Sequence, residues 1–489
     1  MGLAKINYDV QLPFQAYLSD EDEAVHCREK IRVIPNRRLV CSGSWQEQEV
    51  FVKIFAASRT AYRDWQREVT GSKALLQHNI SAAQMIHHGQ LSEDHGYFRG
   101  QQAYIVIYRS IQPALDLDDV WQMAARNERR DLLNELTRVV AQHHAEGLSQ
   151  QDMHLRNFIV SGQVIYTLDA ADIRVCKKEL DEKDSLVNLM QLFALISPSD
   201  DCLLRNAFKS YIQIRGWQSS DRKLDAFMSK VAKLRRVKQA RYVKKAFRES
   251  SAFISHRSMR EFVVYDRLFD GKDLRQLLGN PDACIEEGEI VKRGNTCTIA
   301  LVKTDQSRLI VKRYNIKDSW HAMRRALAHT RASISWRNAH RLQYCRISSA
   351  YPVALLEKRL GPVHFQSYFV MREVTGPTCW TFFHDPSVSI NDKEKVAAAM
   401  GDLFTRLSLY RISHGDMKAT NFIIHENRPV LLDLDAMHEH ASVSTFNSAS
   451  ARDLRRFFNN WRDTPDILEL FQETFARAGM QIKPYNHLI

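Results

Sequence analysis

A chain of 489 residues with 44% hydrophobic and 26% charged residues has the composition of a folded globular protein with room for two or more domains. No apolar run approaches the roughly 18 residues that span a bilayer, and eight cysteines without a C-x-x-C pair suggest neither a zinc site nor a disulfide framework. The net charge of +12 points to an anionic partner, with phosphorylated lipid surfaces, nucleotides and nucleic acid as the starting candidates.

The opening Met1-Gly2-Leu3-Ala4-Lys5-Ile6 has no signal-type apolar segment, and Ile6 breaks a myristoylation pattern. With the cysteine pattern, this predicts a cytoplasmic protein. Strands are expected over 26–34, 38–42 and 49–55, separated by turns at Pro35-Asn36 and Gly43-Ser44. Lys53, in the third, is a candidate phosphate-binding lysine, with an exposed edge-strand lysine as the plain alternative. The helical composition of 56–77 carries Glu68, a candidate ion-pair partner for Lys53. A buried strand over 104–108 and a helix over 131–146 lead to Gln150-Gln151-Asp152-Met153-His154-Leu155-Arg156-Asn157-Phe158.

That last segment carries chemistry, because it recurs. Asn157 follows Asp152 by five residues and Asp169 follows by 17. Downstream, Asn421 and Asp433 stand at the same offsets from Asp416, within His414-Gly415-Asp416-Met417-Lys418-Ala419-Thr420-Asn421-Phe422. One carboxylate to orient an acceptor hydroxyl, then an Asn and a second Asp to hold Mg2+ on ATP phosphates, is the layout of a kinase catalytic loop and metal-binding strand. Two copies at equal spacing predict an internal duplication. Asp152 and Asp416 are the candidate catalytic carboxylates. Asn157, Asp169, Asn421 and Asp433 are the candidate metal ligands, and Lys418 is a cation within reach of the transferring phosphate. The first copy departs from the pattern. Gln150 replaces His, His154 replaces Lys, and no glycine lies in the Pro35-Asn36 turn. Asp184 and Asp453 are matched as structural residues that cap helix starts or anchor the loop.

Residues 229–248 hold nine Lys or Arg and no acid, with Val231, Leu234, Val237, Ala240, Val243 and Phe247 at helical steps. Such a basic amphipathic helix either lies on an anionic membrane face or packs its apolar stripe on protein. The domain boundary is placed near its end, giving 1–250 and 251–489. In the second unit Gly294 sits in the first hairpin turn, where backbone could approach phosphates, and Lys312 is the strand lysine. Alignment puts Ser335 opposite Glu68, leaving Glu357 as a candidate replacement partner for Lys312.

The His414–Phe422 loop, Leu432-Asp433-Leu434-Asp435, Val311-Lys312-Arg313-Tyr314-Asn315 and Ser335-Trp336-Arg337-Asn338-Ala339 together resemble the lipopolysaccharide core heptose and Kdo kinases. The resemblance covers 285–460 well and 25–200 more loosely. It implies an α+β fold of two tandem protein-kinase-like domains, each with a small β-rich N-lobe and a helical C-lobe. It also implies ATP and Mg2+ as cofactors, and transfer to a sugar hydroxyl of lipid-linked core oligosaccharide rather than action on nucleic acid. The expected location is cytoplasmic, peripheral at the inner membrane, with 229–248 as the membrane-facing candidate. The alternatives are a tandem pseudokinase scaffold and a small-molecule kinase of the aminoglycoside or choline type. Leu434-Asp435 in place of Phe-Gly argues against a regulated protein kinase.

Overall fold

In the computed structural model, the described residues are 6, 10–20, 23–56, 58–305, 307–315 and 329–480. Residues 1–5, on which much of the signal-segment expectation rests, lie outside them. The chain divides into two units, Met1–Arg235 and Arg236–Ile489, each mixing helix and sheet. The division falls inside the helix Asp221–Lys245, ahead of the expected 250/251. The reason is packing. Ala246 is fully buried in the second unit's core, and its carbonyl accepts the Trp336 indole N–H at 2.8 Å.

The first unit opens with a six-stranded antiparallel sheet in the order Phe14–Tyr17, Ala24–Ile34, Arg38–Trp45, Gln48–Ala56, Ala103–Arg109, Met85–Gln90. Arg38–Trp45 alternates strictly, with Leu39, Cys41, Gly43 and Trp45 inward, as a strand with one buried face requires. Gly43-Ser44 is therefore strand, not the expected turn. The reversal comes at Gln46-Glu47, both at positive φ (49° and 59°), as in a two-residue hairpin loop. Gly43 is needed for another reason: a Cβ there would lie 2.1 Å from the His26 carbonyl oxygen on the adjacent strand. The helix Ala61–Gln77 packs beside this sheet. A helical layer of Arg126–Ala145, Glu182–Phe193 and Asp201–Ile214 then buries Leu136, Val140, Leu189, Phe193, Phe208 and Tyr211 in a separate core.

The second unit has a seven-stranded sheet, Phe253–Arg257, Glu261–Asp266, Pro352–Leu360, Val363–Arg372, Arg308–Tyr314, Cys297–Lys303, Glu289–Arg293. Its last five strands repeat, in reverse listing, the order of the five strands Ala24–Ile34 to Met85–Gln90 in the first unit, with the lysine-bearing strand at the centre of each set. The helix Arg331–Tyr344 starts where the Thr330 side chain accepts from Ser333 N at 3.0 Å. A helical layer of Ile390–Leu409, Val443–Phe458 and Pro465–Arg477 encloses Phe404, Phe422, Phe457, Trp461, Phe471 and Phe475. Phe422 directly follows Asn421 and is fully buried, so burial worth about 1.5–3 kcal/mol pins the loop at that end.

The basic helix packs on protein. Val231 and Val243 are buried, while Leu234 and Phe247 pack partly buried against core clusters. Arg235 is buried too and pairs with Asp201 at 2.7 Å. Val237 and Ala240 are exposed, as are Lys233, Arg236, Lys244 and Lys245. No helix among the described residues is long and apolar enough to cross a membrane.

Gly71 offers a test of sign. Gly→Ala inside a helix ordinarily stabilises by about 0.5–1 kcal/mol. Here the added Cβ would sit 1.9 Å from the Ala170 carbonyl oxygen, against backbone that cannot swing away. Gly71→Ala is expected to destabilise the first unit by about 1–3 kcal/mol, read as a lowered midpoint in thermal unfolding. A raised midpoint would contradict this packing.

Candidate active site

In the second unit the site begins with Lys312, on the strand Arg308–Tyr314 between partners Ile299 and Phe369. The residue is 4% exposed, and an ammonium so placed must be paired. Its Nζ donates to Asp433 Oδ1 at 2.5 Å and lies 3.7 Å from Asp435 Oδ2. Burial disfavours the charge, but the Tyr314 hydroxyl, Asp435 and Asp433 outweigh it and raise the Lys312 pKa. For Asp433 burial again opposes ionisation, and Lys312 overcomes it, lowering the carboxyl's pKa. Asp433 holds left-handed backbone (φ 55°, ψ 63°), a conformation uncommon outside glycine that turns the carboxylate at the end of Arg428–Leu431 back to the lysine.

Neither Ser335, at the position opposite Glu68, nor Glu357, the expected replacement, pairs with Lys312. Ser335 Oγ bonds the Tyr314 hydroxyl at 2.8 Å, and Glu357 accepts from the Thr330 hydroxyl. The second carboxylate is Asp435, which also pairs with Arg331 at 2.6 Å. Its signal was present in Leu434-Asp435, where Phe-Gly would offer no charge.

The loop before Asp433 is held from several sides. His414 Nε2–H donates to the Leu432 carbonyl at 2.8 Å, and its Nδ1 accepts from Asp416 N at 3.3 Å, which fixes the tautomer. Asp453 accepts from the backbone N–H groups of His414 (2.6 Å) and Gly415 (3.0 Å). Burial raises the Asp453 pKa, and these two bonds oppose the rise. Gly415 has φ 81°, and a Cβ would meet the Ala436 oxygen at 2.7 Å, so only glycine fits. Asn421 Nδ2 donates to the Asp416 carbonyl at 2.7 Å. The Asp416 carboxylate is partly exposed and contacts Lys418 and Arg456, each at 3.1 Å. Arg456 had no signal in the local motif. Gly294 lies in the hairpin turn without positive φ, and its carbonyl accepts from Asn315 Nδ2 at 3.0 Å.

The first unit builds the corresponding arrangement. Lys53 Nζ donates to Glu68 Oε1 at 2.6 Å and to Asp169 Oδ1 at 3.1 Å. Fully buried Glu68 also accepts from the Tyr108 hydroxyl at 2.6 Å. Asp169 shares the left-handed backbone (φ 59°) and meets a second cation, Arg38, at 3.3 Å. Burial would raise the Asp169 pKa, but Lys53 and Arg38 together hold it at about 2. Gln150, read from sequence as a departure, does the work of His414: its Nε2 donates to the Leu168 carbonyl at 3.1 Å. Asn157 Nδ2 donates to the Asp152 carbonyl at 2.7 Å, as Asn421 does to Asp416. Asp152 and His154 are exposed. The Asp184–Asp453 match fails, because Asp184 lies in a first helical turn capped by Asp181, whereas Asp453 is deep inside Val443–Phe458. The residue that anchors the first unit's loop is Asn188, donating to the Gln150 carbonyl at 2.8 Å.

Among the described residues no group of three or more His, Cys, Asp or Glu side chains is placed to hold a metal. One carboxylate and one amide oxygen, Asp433 with Asn421 or Asp169 with Asn157, are nonetheless the kind of donor set that Mg2+ takes when substrate phosphates and waters complete its shell.

A central-strand lysine tied to a carboxylate, beside a bonded Asp–Asn loop, has the chemistry of a phosphotransferase site. Residues 279–475 match the model of the lipopolysaccharide kinase (Kdo/WaaP) family. No curated protein matches the chain.

The Asp169 cluster predicts a pH dependence. A carboxyl with a pKa of about 2 in the folded protein, against about 3.9 unfolded, contributes stability above pH 4 that is lost as pH falls through 2. Wild type should therefore exceed Asp169→Asn by on the order of 2 kcal/mol at pH 5 to 6, narrowing steadily toward pH 2 in denaturant titrations. A gap independent of pH would contradict the ion-pair account.

Proposed function

We propose that the second unit transfers the γ-phosphoryl group of ATP to a sugar hydroxyl of the lipopolysaccharide inner core. The observation that carries this reading is the Lys312–Asp433 pair beside the Asp416–Asn421 loop, within the residues that match the family. Lys312 draws the nucleotide phosphates to the mouth of the sheet. Asp433 and Asn421 would hold Mg2+, which would supply positive charge to offset that of the nucleotide phosphates. Asp416, steadied by Lys418 and Arg456, accepts the acceptor hydroxyl's proton, and Lys418 offsets charge on the transferring group.

The shared five-strand order, the left-handed Asp and the repeated Asn-to-carbonyl bond support reading both units as protein-kinase-like domains from one duplication. They differ in charge at the metal-site carboxylate. Asp169 itself is contacted by two protein cations, Lys53, which it shares with Glu68, and Arg38, whereas among the described residues Asp433 is contacted by Lys312, so the Asp169 carboxylate is the more occupied as a metal ligand. This favours nucleotide binding with weak or no transfer in the first unit and assigns catalysis to the second. The +12 charge and the exposed Lys233, Arg236, Lys244 and Lys245 support work beside an anionic, lipid-linked acceptor at the inner membrane face.

The test is incorporation of label from γ-labelled ATP into purified core oligosaccharide. Asp416→Asn and Asp433→Ala are expected to reduce kcat/KM roughly 10²–10⁴-fold, while Asp152→Asn stays within about tenfold of wild type. Near-normal transfer by both second-unit variants would remove that unit from the chemistry. A loss in Asp152→Asn that matched Asp416→Asn would reverse the ranking of the two units.

A further inference from the structure

A cavity of about 530 Å3 opens in the second unit beside the helix Arg331–Tyr344 and shares no lining residue with the Lys312 site. Five permanent cations line it: Lys244, Arg257, Arg337, Arg341 and Arg359. Among the described residues only two carboxylates do so, and both are engaged, Glu439 by Arg341 at 3.2 Å and Glu357 by the Thr330 hydroxyl. Three of the other cations rest on neutral partners among the described residues. Arg337 donates to His329 Nε2 at 3.1 Å and Arg359 Nε to the Ser258 carbonyl at 2.9 Å, while the Arg257 guanidinium lies 4.5 Å over the Phe262 ring. Burial lowers the Arg337 pKa, and neighbouring Arg341 lowers it further against the pull of Glu357. His364, also in the lining, has a buried Nδ1 without a partner.

The helix explains how two sites coexist on one element. Ser333, Arg337 and Arg341 recur every four residues and line the cavity. Arg331, Ser335 and Asn338 instead reach Asp435, the Tyr314 hydroxyl, and the carbonyls of Leu434 and Met437. Confined, uncompensated positive charge is unfavourable until an anion fills it. Phe247 and Phe262 also line the cavity, and their rings carry Arg337 (5.7 Å) and Arg257 (4.5 Å), which holds both guanidinium groups in place. Its volume suits a small molecule.

We propose that this cavity binds a small phosphorylated ligand with two or more negative charges, its phosphate held by Arg257, Arg337 and Arg359. Such a ligand is either a lipid phosphate headgroup or a soluble phosphate compound.

Calorimetric titration of the full chain with pyrophosphate tests it, with Lys312→Met as the control for binding at the other site. Pyrophosphate should bind wild type and Lys312→Met alike. Arg337→Gln and Arg257→Gln should each weaken binding by at least about tenfold. Arg257 is exposed at a strand end, so its variant keeps the proposal testable if Arg337→Gln fails to fold. No binding to wild type, wild-type affinity in folded Gln variants, or loss in Lys312→Met alone overturns it. A second titration uses dihexanoyl phosphatidate. Tighter binding than pyrophosphate with the same arginine dependence identifies a lipid headgroup, and binding no tighter identifies a soluble phosphate compound.

Discussion

The bond between Lys312 and Asp433 is the constraint that the second unit is arranged to meet. A nearly buried ammonium on a central strand is unfavourable unless a carboxylate comes to it, and Asp433 comes only by taking left-handed backbone at the end of its strand. Holding that conformation requires the flanking segments to be fixed. His414 ties the loop to the residue before Asp433, Asp453 ties the loop to a helix, and Phe422 sinks into the aromatic core between them. The catalytic proposal for Asp416 and Asn421 follows from the same restraint, since both ride on the loop that these contacts immobilise.

The first unit meets the same constraint with different chemistry. Gln150 stands where the second unit has the imidazole and makes the corresponding bond to the residue before the second Asp, whereas Asn188 anchors the loop by donating to a backbone carbonyl where Asp453 accepts from backbone N–H groups. Its lysine has the buried helix glutamate, Glu68, that the second unit lacks, and the second unit recovers a second carboxylate through Asp435. The two units differ in side-chain identity while the loop's tie to the residue before the second Asp and the Asn-to-carbonyl bond recur. Asp169 is contacted by two cations, Lys53 and Arg38, whereas among the described residues Asp433 is contacted by Lys312.

Much of this was legible in the sequence, for physical reasons. Runs bounded by turn residues marked the strands, equal Asp–Asn–Asp spacing marked the loops, and Lys53, Glu68 and Lys312 were picked out as the lysines and acid of the site. The misreadings have a common origin in tertiary contact. Gly43 looked like a turn because glycine usually signals one, whereas here its missing Cβ admits the His26 carbonyl. Asp184 looked like the counterpart of Asp453 because an Asp near a helix start resembles a cap, while the true anchor, Asn188, is a turn further on. Arg331, Asp435 and Arg456 form pairs with partners 40 or more residues away in the chain, and no local period or motif reports such pairs.

The central claim is that Asp416 serves a phosphoryl transfer onto the inner core. The most direct measurement is mass spectrometry of core oligosaccharide from cells carrying either the wild-type protein or Asp416→Asn at matched abundance. The account predicts that the variant's oligosaccharide lacks a phosphate present in wild type. Identical phosphate content in the two would contradict it.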